Sequence, residues 1–180
     1  MKIAITGLAG SGKDTAAEML QRILGNAKLF ALADLPKQIT SDELGIPLIN
    51  FTDRELKDSP YMDMPNFDGK YTPRQILLGH WDDLFEENGD DYSLMLNIDA
   101  MDNIEDGYAY VIISDIRFPI ELNWVKQENI LLFNIKRDVD DVVDSHISEM
   151  ENDEGITIFN DGSLEDLYNK LVEGVIKYVA

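Results

Sequence analysis

The sequence predicts an α/β protein built around a parallel sheet. Three observations carry this: apolar runs without strict alternation, helix-like periodicity in the gaps between them, and a glycine-rich turn joining the first run to the first helical stretch. The strand candidates are Lys2 to Thr6, Lys28 to Leu32, Ala109 to Asp115, Ile130 to Lys136 and Ile156 to Asn160. Their near-continuous apolar character suits strands buried on both faces.

Helices fill the intervals, with readable start signals. Ala16 to Leu24 has helical apolar spacing. Thr72-Pro73-Arg74-Gln75 has the composition of a capping box, with threonine at N-cap, proline at N1 and glutamine at N3. Pro119 opens a short helix through about Lys126, and Ser163 with Asp166 starts the last one. Leu164, Leu167, Leu171 and Val175 then form one apolar stripe that reads as core. Two stretches look irregular. Ser41 to Tyr71 holds three prolines and Gly69 among polar residues, too long for a plain loop and suited to covering something. Asp138 to Glu154 is acidic with a thin apolar stripe, the composition of a mobile helical segment.

At 180 residues, 44% of them hydrophobic, one compact domain with a substantial core is expected over residues 1–180. The absence of cysteine excludes disulfides and thiolate metal sites, and no apolar run approaches the length of a membrane span. A soluble cytoplasmic protein is the expectation. Thirty-five Asp and Glu against 15 Lys and Arg give a formal net charge of -20, which makes nucleic acid and anionic membranes poor partners. The acidity reads first as a solvated surface. It also makes the five arginines, at 22, 54, 74, 117 and 137, a short list of groups able to hold an anion.

The chemistry is concentrated in Gly7-Leu-Ala-Gly10-Ser11-Gly12-Lys13-Asp14-Thr15, placed between the first strand and the first helix. Glycines let the backbone wrap phosphate oxygens with several N–H groups. The helix adds its positive dipole end, and a lysine at position 13 can reach the β- and γ-phosphates of a nucleoside triphosphate. Gly7, Gly10, Ser11, Gly12, Lys13, Asp14 and Thr15 are therefore the candidate binding residues for ATP. The usual hydroxyl after the lysine is replaced by Asp14, with Thr15 following. A carboxylate beside a triphosphate is repelled unless Mg²⁺ lies between them or the side chain turns away. Both readings stay open, with a place in or near the Mg²⁺ shell preferred.

The segment Val111 to Pro119 is a buried strand ending in Asp115, with Arg117 two residues on. In a parallel sheet the carboxyl ends of the strands define the ligand crevice. Asp115 is placed like the acid that orients Mg²⁺, and Arg117 like a cation for a transferring phosphoryl group. A plain surface pair between them is the bland alternative. Arg137 follows the fourth strand at the same edge and is a candidate clamp on the triphosphate. Arg74 suits either a solvated helix residue or an acceptor-phosphate contact. Arg22 reads as surface, and His80 and His146, the latter three residues before Glu149, as structural.

The ordered set SGKDT (11–15), FALADLPK (30–37), DRELKD (53–58), TPRQILLG (72–79), SDIRFPIE (114–121), HISE (146–149) and FNDGSLEDL (159–167) resembles the phage-type deoxynucleoside monophosphate kinases across nearly the whole chain. That resemblance implies a three-layer α/β/α fold with a five-stranded parallel sheet ordered 2-3-1-4-5. It also implies an acceptor-binding insert over residues 35–107 and a lid over 138–154. The implied reaction is Mg²⁺-assisted transfer from ATP to a deoxynucleoside monophosphate. Lys13, Arg117, Asp115 and Arg137 would be catalytic, Arg74, Lys37 and Arg117 would contact substrate, and Asp14 and Asp115 would lie near the metal. Small nucleotides are then the implied partners, a homodimer is compatible, and a phage gene would place the protein in its host's cytoplasm. The chain departs from the pattern at Leu84-Phe85-Glu86, where an arginine is usual, at Tyr92, and in a lid with no basic residue between Arg137 and His146. Two other readings compete. One is a P-loop kinase acting on another small phosphorylated acceptor, such as dephospho-coenzyme A, and the other a nucleotide-binding module with little turnover.

Overall fold

The computed structural model describes residues 1–61, 70–104, 107–137 and 155–179. Among these, five strands form one all-parallel sheet: β1 (Lys2–Thr6), β2 (Ala27–Ala31), β3 (Tyr110–Ile116), β4 (Leu131–Lys136) and β5 (Ile156–Phe159). Their order is β2-β3-β1-β4-β5, as the family resemblance implied. Each strand lies within one residue of its expected bounds, and in the central strands β1, β3 and β4 burial on both faces leaves little room for a register error.

The chain divides into two compact units, residues 1–32 with 100–180, and residues 33–99. The first unit holds the sheet, α1 (Lys13–Leu24), α6 (Pro119–Gln127) and α7 (Leu164–Tyr178). On one sheet face Ile3, Ile5, Ile112, Phe133, Ile135 and Ile158 pack with Ala16, Ala17 and Leu20 of α1 and with Leu167 and Leu171 of α7. The intervening residues Ala4, Val111, Ile113 and Leu132 point to the opposite face and are buried as well. Both faces are thus covered, which is what the unbroken apolar runs require.

The second unit contains α2 (Asp34–Leu44), α3 (Ile49–Thr52), a 3-10 turn at Leu56–Asp58 and α4 (Pro73–Asn88), and it ends within α5 (Tyr92–Asp102). Ile46, Phe51, Tyr61 and Ile76 form its small core. The Trp81 indole N–H donates to Thr40 Oγ1 at 3.1 Å, joining α4 to α2, and the Ser41 hydroxyl donates to the Ile46 carbonyl at 2.7 Å. The stretch 41–71 is therefore less irregular than its composition suggests. Its described part continues α2 and adds two short helical turns, because Phe51 and Ile46 supply enough apolar surface to anchor them.

Local caps form as read. Thr72 accepts from the Gln75 amide while the Gln75 side chain accepts from the Thr72 amide, and Ser163 and Asp166 do the same at α7. The α7 stripe needs one correction. Leu167 and Leu171 are buried and Val175 packs against them, but Leu164 is 66% exposed. It is the first residue of the helix and is not among the residues of the core. Among the described residues no helix is long and apolar enough to cross a membrane. The expected lid, 138–154, with His146 and Glu149, lies outside the described residues.

The buried and exposed ends of the stripe are separable by experiment. Leu171→Ala is expected to lower unfolding free energy by about 2–5 kcal/mol in urea titrations, the usual range for emptying a core leucine site. Leu164→Ala should stay within about 0.5 kcal/mol, as for an exposed position.

Candidate phosphate-binding site

Parallel pairing brings the carboxyl ends of all five strands to one edge, and the first unit places its chemistry-bearing residues there. The loop after β1 runs from Gly7 to Gly12, with positive φ at Gly7, Gly10 and Gly12. At Gly7 a Cβ would sit 2.5 Å from the Ile135 carbonyl oxygen and 2.6 Å from Ser11 Oγ, so only glycine lets the loop pass this close to β4. Gly12 is the left-handed N-cap of α1 and offers no side-chain cap. The first helical hydrogen bond is Ala16 N–H to Gly12 O at 2.9 Å, so the amides just before it form the positive end of α1. The Ser11 hydroxyl is buried without a hydrogen-bond partner. A buried unpaired hydroxyl beside a glycine cradle fits a loop built to receive an anion's oxygens.

Lys13, the first residue of α1, is buried at 8% exposure, and its Nζ lies 3.8 Å from Asp115 Oδ1. The same Asp115 oxygen accepts from Arg117 Nη2 at 2.8 Å. Asp115 reaches this position through a break in the ladder. Ala4 pairs with Ile113 and Thr6 with Ile116, so Ser114 and Asp115 together oppose the single residue between them on β1. Asp115 takes φ +66, rare for a non-glycine residue, and a bulge of this kind re-aims a side chain at the strand end. Beyond it Thr6 Oγ1 donates to the Ile116 carbonyl at 2.8 Å and re-ties the two strands. Two cations thus flank one carboxylate in a chain of net charge -20.

The structure also supplies a residue for which the sequence assigned no role. Glu121 in α6 is buried, and its Oε2 accepts from the amides of Arg117 at 2.6 Å and Phe118 at 2.9 Å. It holds the turn that presents Arg117. Burial pushes its carboxyl above the ordinary range, opposed by those two N–H donors and by the Arg117 charge. The available signal was a glutamate at the third position after Phe118, ahead of an apolar helix, the second half of a capping box.

The remaining candidates are placed as follows. Asp14 is exposed on the outer side of α1, and Thr15 is half-buried. Arg137 is exposed immediately after β4. In the second unit Arg74 makes a two-pronged pair with Asp58, Nε to Oδ1 at 2.6 Å and Nη2 to Oδ2 at 3.1 Å. Hydrogen bonding from Arg74 holds the Asp58 carboxyl below its ordinary range. Lys37 pairs with Asp34 at 3.0 Å on its own helix. Arg22 is surface, as expected, and His80 lies 2.9 Å from Glu43 as a structural contact between α4 and α2. Among the described residues no three His, Asp or Glu side chains gather as a metal cage. Mg²⁺ bound with phosphates needs one or two carboxylates and water, and Asp115, at the strand end beside the loop, has the chemistry for it.

A family model described as deoxynucleotide monophosphate kinase matches residues 83–171. This span includes Asp115, Arg117 and Arg137 but not the glycine-rich loop. The deoxynucleotide monophosphate kinase of Enterobacteria phage T4 is 27% identical over 111 residues, covering 59% of this chain and 46% of that protein. The match therefore spans less than half the relative's length. Among solved structures, a sugar kinase from Janibacter sp. HTCC2649 aligns with TM-score 0.41 and 13% identity over 99% of this chain and 93% of its own. Shikimate kinase from Aquifex aeolicus aligns with TM-score 0.35 and 14% identity over 98% and 83%. These two superpose too loosely to bear on the fold, which rests on the strand order and the loop. The sequence matches bear out the resemblance carried by the motifs, and over these spans the chain is similar to deoxynucleotide monophosphate kinases.

Glu121 yields a test in which pH decides. Its folded carboxyl holds a proton more tightly than the unfolded one, so its contribution falls as pH rises from about the ordinary value of 4.5 through the raised folded value. Glu121→Gln keeps an acceptor oxygen and should remove that decline, flattening urea midpoints measured between about pH 4.5 and 8. Glu121→Ala removes the acceptor of two part-buried amides and should cost about 1 kcal/mol or more throughout.

Proposed function

We propose that this protein transfers the γ-phosphoryl group of ATP to a deoxynucleoside monophosphate, giving ADP and the diphosphate. The observation that carries the reading is the junction of Lys13, Asp115 and Arg117 beside a glycine cradle with a buried, unpartnered Ser11 hydroxyl. Phosphoryl transfer of this class needs little covalent chemistry from the protein and depends on alignment and charge neutralisation.

In this reading the amides at the start of α1 and Lys13 hold the β- and γ-phosphates. Once a triphosphate binds, Lys13 exchanges part of its attraction to Asp115 for the phosphate oxygens, and Arg117 faces the charge that spreads over the moving phosphoryl group. Glu121 keeps the Arg117 backbone in place for that task. Asp115, with Asp14 in an outer position, would hold Mg²⁺, which supplies further neutralisation of phosphate charge. Arg137 acts as a second cation at the same edge of the sheet. The proposed acceptor-binding insert is residues 35–107, most of which fall in the unit of residues 33–99. Its Arg74 and Lys37 are the proposed contacts to the acceptor phosphate, reached by exchanging their pairs with Asp58 and Asp34. Such exposed pairs are weak enough to be traded for a phosphate.

Lys13→Ala and Arg117→Ala should each slow transfer at least about tenfold, about 1.4 kcal/mol in activation free energy, in a coupled ADP-release assay. Rates near wild type in either variant would move the site elsewhere. A panel of deoxynucleoside monophosphates, dephospho-coenzyme A and small sugar phosphates identifies the acceptor class, and no turnover with any deoxynucleoside monophosphate would overturn the proposed reaction. Asp14→Ser should shift the Mg²⁺ concentration needed for half-maximal rate. An unchanged Mg²⁺ titration removes Asp14 from the metal's surroundings.

A further inference from the structure

The motif FNDGSLEDL, which the reading above leaves without a role, contains a side chain that reaches the phosphate-binding loop from the far end of the chain. Asn160 directly follows β5, and its backbone N–H donates to the Lys136 carbonyl at 2.7 Å, which anchors it at the carboxyl edge of the sheet. Its side chain is buried at 8% exposure, and Nδ2 donates to the Ser11 carbonyl at 2.8 Å across 149 positions of sequence. The approach is tight. A Cβ on Gly12 would lie 2.4 Å from Asn160 Nδ2, so a glycine at 12 is needed for this contact as well as for its φ of +91.

We infer that Asn160 is a positioning residue for the loop, setting the orientation of the Ser11–Gly12 peptide so that its amide faces the bound phosphates. The argument is geometric. In a trans peptide the carbonyl oxygen and the following N–H point to opposite sides of the same plane. Holding the Ser11 oxygen toward Asn160 turns the Gly12 N–H the other way. This peptide has glycine on one side, and the Gly12 φ of +91 is open to that residue alone, so a bond to the Ser11 carbonyl helps select one of the two orientations. The neighbouring Ser11 hydroxyl, buried and unpartnered, does not do so. The edge strand β5 thereby acts on the donor site through a single amide group, without touching the nucleotide. This rests on the reading of the loop as a triphosphate cradle.

The test uses the full chain and inorganic tripolyphosphate, which isolates the cradle from any nucleoside contact. Asn160→Ala removes the donor, and Asn160→Leu removes it while keeping roughly the side chain's volume. Both should bind tripolyphosphate at least about tenfold more weakly by calorimetry, the loss expected for one misdirected hydrogen bond to a charged group. KM for ATP should rise in parallel, while KM for the deoxynucleoside monophosphate stays close to wild type and both variants remain folded. Affinity within twofold of wild type in either folded variant overturns the inference. So does an equal rise in both KM values, and so does loss of the fold in both variants, which makes Asn160 a requirement of folding instead. A wild-type chain that binds tripolyphosphate but phosphorylates no deoxynucleoside monophosphate overturns the kinase reading alone.

Discussion

The Asp115 carboxylate, 2.8 Å from Arg117 and 3.8 Å from Lys13, is the junction around which the rest of the first unit is arranged. Lys13 comes from the helix after β1, and Asp115 and Arg117 come from the end of β3, so the junction exists only because those two strands are parallel neighbours. The bulge at Ser114–Asp115 turns the carboxylate out of the sheet, Thr6 re-ties the strands beyond it, and Glu121 holds the turn that follows. A left-handed aspartate costs on the order of 1–3 kcal/mol and persists where surrounding contacts over-determine it. Here the ladder on one side and the α6 cap on the other do so.

The charge distribution gives this junction its meaning. With 35 acidic residues against 15 basic ones, the average surface repels a triphosphate. In the proposed function, binding comes from fixed local groups: the backbone amides of a glycine loop, a helix end and a few cations held by packing. Lys13 is nearly buried and Arg117 is held by Asp115, so little side-chain freedom remains to be lost when an anion arrives. Arg74 and Lys37 in the second unit are held in another way, each paired with an exposed aspartate.

Local signals were legible in the sequence where the physics itself is local. Both capping boxes formed at Thr72 and Ser163, and the five apolar runs became strands. The glycine loop stands between β1 and α1. Misreadings occurred where a residue's fate depended on distant chain. Leu164 fits the helical stripe by spacing yet is exposed outside the core, and Ser41 to Tyr71 looked irregular until Ile46 and Phe51 found a core to join. Arg74 could be listed as a cation, but its partner Asp58 lies sixteen residues away in a different turn.

By itself the sequence determined the class of fold, the glycine-rich loop between the first strand and the first helix, and the kinase resemblance, because period, caps and glycine spacing are properties of consecutive residues. Tertiary structure alone decided how Asp115 is aimed, which amides Glu121 secures and that Asn160 grips the Ser11 carbonyl. Each of these depends on a strand neighbour or a backbone dihedral that no linear pattern records. The 149 positions between Ser11 and Asn160 are bridged because β1 and β5 both lie beside β4, a neighbourhood set by sheet order.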